Sequence, residues 1–195
     1  MRSAVKRRST RQMIEAIEAL DLGPIKFKLM DPEEGEGWTR ELVEHMETRY
    51  KRYLTLVAKY PRETIAPDKD VDRFWHAHIL DTRKYADDCR RVFGFYLHHF
   101  PYFGMRGPDD AAALAKAGER TRELYEAEFG AEPGRTDRAF CSVAREAFCS
   151  TAGAAFCSVA GAAFCSVSTG PVDTRTRPSL PPYAGGGRES ASGVS

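Results

Sequence analysis

The sequence predicts an all-α protein, a small bundle of four to five helices followed by a C-terminal tail that stays outside it. Three observations carry this expectation. Apolar residues recur at helical spacing through the first 130 residues. Gly and Pro fall where those runs stop. The composition then changes abruptly near residue 138. Of the 29 Lys and Arg and the 28 Asp and Glu in the 195-residue chain, only four Arg and three acids lie beyond residue 138, so 25 of each sign precede it. All five His lie in the first part and four of the five Cys in the second. One domain with a tail fits that length.

The organisation follows in order. Residues 1–8 are a basic N-terminal arm, and residues 9–130 hold the helical domain. Met13, Ile14, Ile17 and Leu20 mark a first helix, stopped by Gly23-Pro24. Ile25 to Leu29 alternates apolar and basic residues and predicts a short extended piece. Asp31 to Gly37 is a loop. Trp38, Leu42, Met46, Tyr50, Tyr53, Leu54 and Val57 mark a long amphipathic helix ending before Pro61. A third helix runs from about Asp70 to Phe93, stopped by Gly94. An aromatic segment, Phe95 to Gly104, is broken by Pro101. Pro108-Asp109-Asp110 opens the last helix, which Gly130 closes.

Net charge is +1, which excludes a chain-wide attraction to nucleic acid or to acidic lipid. No apolar run is long enough to span a bilayer, and the basic N-terminus lacks the apolar core of a secretory signal. A cytoplasmic location without membrane association is expected. No GxGxxG, GxxxxGK[ST] or GxSxG is present, so no nucleotide cofactor and no serine hydrolase chemistry is expected.

Chemistry concentrates in VDRFWHAHILDTRKYADDCRRVFGFYLHHFPYFGM. Four of the five His lie there: His76, His78, His98 and His99. At 100° per residue on one helix, His76 and His78 point about 200° apart and cannot serve one ion. On a continuous helix His78 and Cys89 share a face with Thr82 and Tyr85, and Asp81 lies at its edge. Asp72 and His76 sit one turn apart on another face. Gly94 and Pro101 let the chain fold back and bring His98 or His99 over the helix. Imidazole with carboxylate or thiolate suits zinc or iron(II). The expected metal ligands are therefore His78, Asp81, Cys89, His98 and His99, with Asp72, His76, Tyr85 and Tyr102 as secondary candidates and His76 hydrogen-bonded to Asp72 or to backbone. The competing expectation is a packed structural cluster, with Cys89 as a small buried hydrophobe.

The residues Trp75, His76, His78, Asp81, Tyr85, Cys89, His99, Pro101, Tyr102 and Gly104 resemble the glycine-rich domain-containing protein-like family over about residues 10–130. The resemblance implies a helical domain, and plant members of that family are associated with development, stress responses and RNA binding. The chain is similar to a short bacterial version: Ala184-Gly-Gly-Gly187 is the whole of its glycine-rich C-terminus, and it has no RNA-binding motif.

Residues 139–170 are four octapeptides, AFCSVARE, AFCSTAGA, AFCSVAGA and AFCSVSTG, which place Cys141, Cys149, Cys157 and Cys165 at a fixed interval. That interval is not a zinc-finger or zinc-ribbon spacing, although free thiols suit copper(I) or zinc. Residues 171–195, rich in Pro, Gly and Ser, are expected to be disordered.

The sequence thus supports a cytosolic metal-binding domain with a Cys-repeat tail. A different class also fits, a non-enzymatic interaction or scaffold domain with an unidentified protein partner. So does a leader-like domain presenting repeated Cys/Ser units for modification. Acid–base groups are present, yet spacing alone assigns no nucleophile with its base and orienting group.

Overall fold

A computed structural model describes residues 8–131 and the two-residue strand Val167–Ser168. Residues 1–7 of the basic arm, the thiols of the four octapeptides and the segment 171–195 lie outside the described residues. The described part is all-α apart from one short strand pair, as the apolar spacing predicts.

Helix α1 (Thr10–Glu18) opens with a reciprocal cap in which the Ser9 hydroxyl accepts from the Gln12 amide and the Gln12 side chain accepts from the Ser9 amide. Helix α2 (Gly23–Met30) occupies the stretch whose alternation predicts an extended piece. Two local facts explain the difference. Pro24 sits in the first turn, where its missing N–H is no loss. Ile25 and Leu29, four residues apart, both face the core, while Phe27, which an extended register would put on their side, is exposed.

Helix α3 (Arg40–Lys59), capped by Thr39, is the centre of the bundle, with α1, α2, α4 and α6 packed around it. Its inward residues Val43, Met46, Tyr50, Tyr53, Leu56 and Val57 meet Ile17, Leu22, Phe74 and Trp75 in one core. The Arg49–Asp68 ion pair ties it to the start of the next helix.

Strand β1 (Thr64–Ile65) follows, and pairs antiparallel with β2 (Val167–Ser168), Thr64 opposite Ser168 and Ile65 opposite Val167. The single third helix predicted from Asp70 to Phe93 is two helices, α4 (Lys69–Leu80) and α5 (Thr82–Val92). The break is at Asp81, whose backbone (φ −81°, ψ 73°) leaves helical geometry and whose carboxylate accepts from the Lys84 amide as the cap of α5. An aspartate competes for backbone donors in this way, and the apolar spacing is blind to it. Helix α6 (Pro108–Phe129) closes the bundle against α3 through Lys59–Glu128, Tyr60–Glu128 and Arg52–Tyr125 pairs. Among the described residues, no helix is long and apolar enough to cross a membrane.

Candidate metal centre

The segment between α5 and α6 decides what the histidines can do. Tyr85 on α5 accepts a hydrogen bond from the Trp75 indole at 3.0 Å and donates to the Leu97 carbonyl at 2.5 Å. That relay, with Leu97 and Phe100 buried, fastens the segment onto α4. Further along, Asp110 accepts from the Gly104 and Arg106 amides and from the Arg106 guanidinium, which fixes the turn before α6. His99, lying between these two anchors, is set edge-on to the Trp75 ring, centroids 4.6 Å apart.

His99 therefore arrives over the Asp72–His76 face of α4. Its Nε2 stands 3.0 Å from His76 Nε2 and 3.2 Å from Asp72 Oδ1, and His76 Nδ1 is 3.7 Å from Asp72 Oδ2. These three side chains form a group whose ligand atoms lie within 4.8 Å of one another, so a His/Asp cluster able to hold a metal ion is present among the described residues. Donors about 2.0–2.1 Å from a common ion stand about 2.9 Å apart at a right angle and about 3.3 Å apart at the tetrahedral angle. The two shortest separations here fall between those limits.

A proton count points the same way. A neutral His99 ring with its proton on Nε2 has one N–H for two neighbours, the Asp72 carboxylate and the His76 nitrogen. One cation between them would satisfy all three. Burial lowers the pKa of His76, Asp72 raises it, and His99 lowers it further, so the net shift favours the neutral, ligating imidazole. Exposure is uneven: the Asp72 and His99 side chains are 11% and 9% accessible, His76 47%, so the cluster opens to solvent on one side.

The other residues expected as ligands are dispersed. His78 is buried on the opposite face of α4, with Nδ1 3.0 Å from the Tyr50 hydroxyl and Nε2 3.1 Å from Asp88, which also pairs with Lys84. Asp81 is exposed and spent on the α5 cap. Cys89 is a buried free thiol beside Tyr85, and burial raises the pKa of both groups. His98 is exposed against Tyr96. Tyr102 packs on Phe100. Thus His99 joins Asp72 and His76, whereas His78, Asp81, Cys89 and His98 are not gathered into one set. The shared face of His78 and Cys89 rests on a continuous helix, which the break at Asp81 removes. Asp88 belongs to the same chemistry-rich segment but is not among the expected ligands. Its i,i+4 relation to Lys84 was visible, but its pairing with His78 depends on how α5 folds back on α4.

Residues 14–119, more than half of the chain, match one protein family, described as UCP032817-like. The chain belongs to the UCP032817-like family. This corrects the resemblance to the glycine-rich domain-containing protein-like family, to which nothing in the comparisons points. The UCP032817-like match runs from α1 into α6 and takes in all three clustered residues. Two residues of the motif behind the resemblance, Trp75 and Tyr85, pin the fold, Trp75 donating to the Tyr85 hydroxyl and Tyr85 to the Leu97 carbonyl. No curated protein and no solved structure matches the chain.

Proposed function

We propose that this UCP032817-like chain is a metal-binding domain that holds one divalent transition ion, zinc or iron(II), through Asp72, His76 and His99. The reading is carried by the close approach of two imidazole nitrogens and one carboxylate oxygen, His99 Nε2 standing 3.0 Å from His76 Nε2 and 3.2 Å from Asp72 Oδ1. Two His with one carboxylate leave coordination positions for an exogenous ligand, unlike the closed four-ligand sets of structural zinc. The donors are nitrogen and oxygen, so a copper(I) preference does not arise here.

The test is elemental analysis of the full-length chain. One equivalent of metal is expected in the parent, and in a variant with all four octapeptide cysteines changed to serine. His76→Ala and His99→Ala should lose it. Equal metal in all of them would sink the assignment.

A second reading, an interaction or scaffold domain, draws on the edge-on and tilted packing of His99 against Trp75 and His76, which can fasten the segment without an ion. It expects no metal in any variant and a loss of stability in both substitutions.

A further inference from the structure

A cleft of about 410 Å³ lies between α2, the loop 31–37 and α4, and His76 is one of its walls. Residue by residue, α4 presents Arg73, His76, Ala77 and Leu80 to it, positions spaced to line one side of a helix. Facing them, Ile25 and Leu29 of α2 supply an apolar floor, and Leu80 is an exposed apolar rim at 81% accessibility. The volume is in the range that encloses a small organic ligand. The opposite wall is fixed by backbone: a Cβ on Gly35 would lie 1.9 Å from the Lys28 carbonyl, so only glycine lets the loop close against the end of α2.

The cleft and the cluster share His76, and His76 is the only one of the three clustered side chains that is substantially exposed. An outside ligand would therefore reach an ion at the cluster past His76, the one clustered residue that lines the cleft. Beside it stands Arg73, half exposed and only loosely paired with Asp70 at 3.8 Å. Of the acids around the cleft, Glu34 pairs with Lys28 and Asp81 caps α5, while Glu36 leaves the loop wall anionic. An anionic head is thereby directed to the Arg73–His76 end, and an uncharged body to Ile25, Leu29 and Leu80.

We infer that the cleft takes small amphipathic carboxylates, whose head coordinates the ion held by Asp72, His76 and His99 beside Arg73 and whose apolar chain lies along α2 and α4. The inference rests on the metal reading given above. It extends that reading to a ligand class.

The test is calorimetric titration of acetate, hexanoate and octanoate into the full-length protein, zinc-loaded and metal-free, with zinc content measured on the same samples. In the zinc-loaded protein each added methylene should tighten binding about two- to fourfold until the floor is covered. Metal-free protein should bind all three much more weakly. Leu80→Asp should keep its zinc and lose much of the chain-length gain, and Arg73→Glu should weaken all three acids alike. Zinc bound with no chain-length dependence overturns the ligand class and spares the metal site. The same gain with and without zinc overturns the link between cleft and ion. No zinc bound overturns both readings at once.

Discussion

At the scale of single residues, His76 and His78 show how two histidines on one helix take opposite work. His76 faces His99 and the cleft, while His78 is enclosed by Tyr50, Tyr85 and Asp88. Burial lowers the pKa of His78 more than Asp88 raises it. The native state therefore resists the proton that the unfolded chain accepts near the ordinary imidazole value of about 6.5. This histidine imposes no cost above that pH, and stability is lost as pH falls from there through the lower native value. With chelator present, the urea midpoint should drop between neutral and mildly acid pH by more in the parent than in His78→Gln. Removing His78 also strips a buried carboxylate of one hydrogen-bond partner, so His78→Ala should cost about 1–3 kcal/mol, with Lys84 still paired to Asp88. Its metal content should not change, which separates it from His76→Ala. Cys89 is a matching case. Its thiol is buried and its thiolate disfavoured, so iodoacetamide should label it slowly in native buffer and quickly in urea, as read by peptide mass spectrometry. Rapid native labelling would mean that α5 opens away from the core.

At the scale of elements, the break at Asp81 is the feature that reorganises the site. Asp81→Ala removes the α5 cap and should cost roughly 0.5–2 kcal/mol with no loss of metal. Gly104 acts at the other end of the histidine segment. Its φ of +89° and a Cβ that would stand 2.4 Å from Leu114 Cδ2 leave no room for a side chain. Gly104→Ala should therefore destabilise by on the order of 1–3 kcal/mol and weaken metal binding, because it loosens the turn anchored just beyond His99. These two positions show what was legible in the sequence. The long runs of α3 and α6 were plain, since many inward residues keep one period. The Asp72–His76 pair was plain too, because i,i+4 geometry is local. What failed was short or competitive: α2, where two inward residues are outweighed by an accidental alternation, and Asp81, where one side-chain cap overrides a continuous apolar stripe. That His99 rather than His98 completes the cluster depends on the Tyr85–Leu97 hydrogen bond, a contact between residues twelve apart that no periodicity encodes.

At the scale of the whole molecule, an ion at the cluster would join α4 to the segment that leads into α6. Binding to the native state alone stabilises it by RT ln(1 + [metal]/Kd), about 2.7 kcal/mol at a hundredfold excess over Kd. Zinc should raise the melting temperature of the full-length protein, and His99→Ala should abolish the increase. An equal rise in that variant would place the metal elsewhere in the chain.

The pairing of β1 with β2 has a consequence in time. Within the bundle, pairs such as α1–α3, α3–α4 and α4–α5 bring together stretches close in the chain, the kind of contact that forms early. Thr64–Ile65 must instead wait for Val167–Ser168, about a hundred residues later in the chain, and closing so long a loop repays only two residues of ladder. The pair is thus expected to settle last and to open first, and each opening would bare a short row of backbone donors and acceptors on an otherwise finished fold.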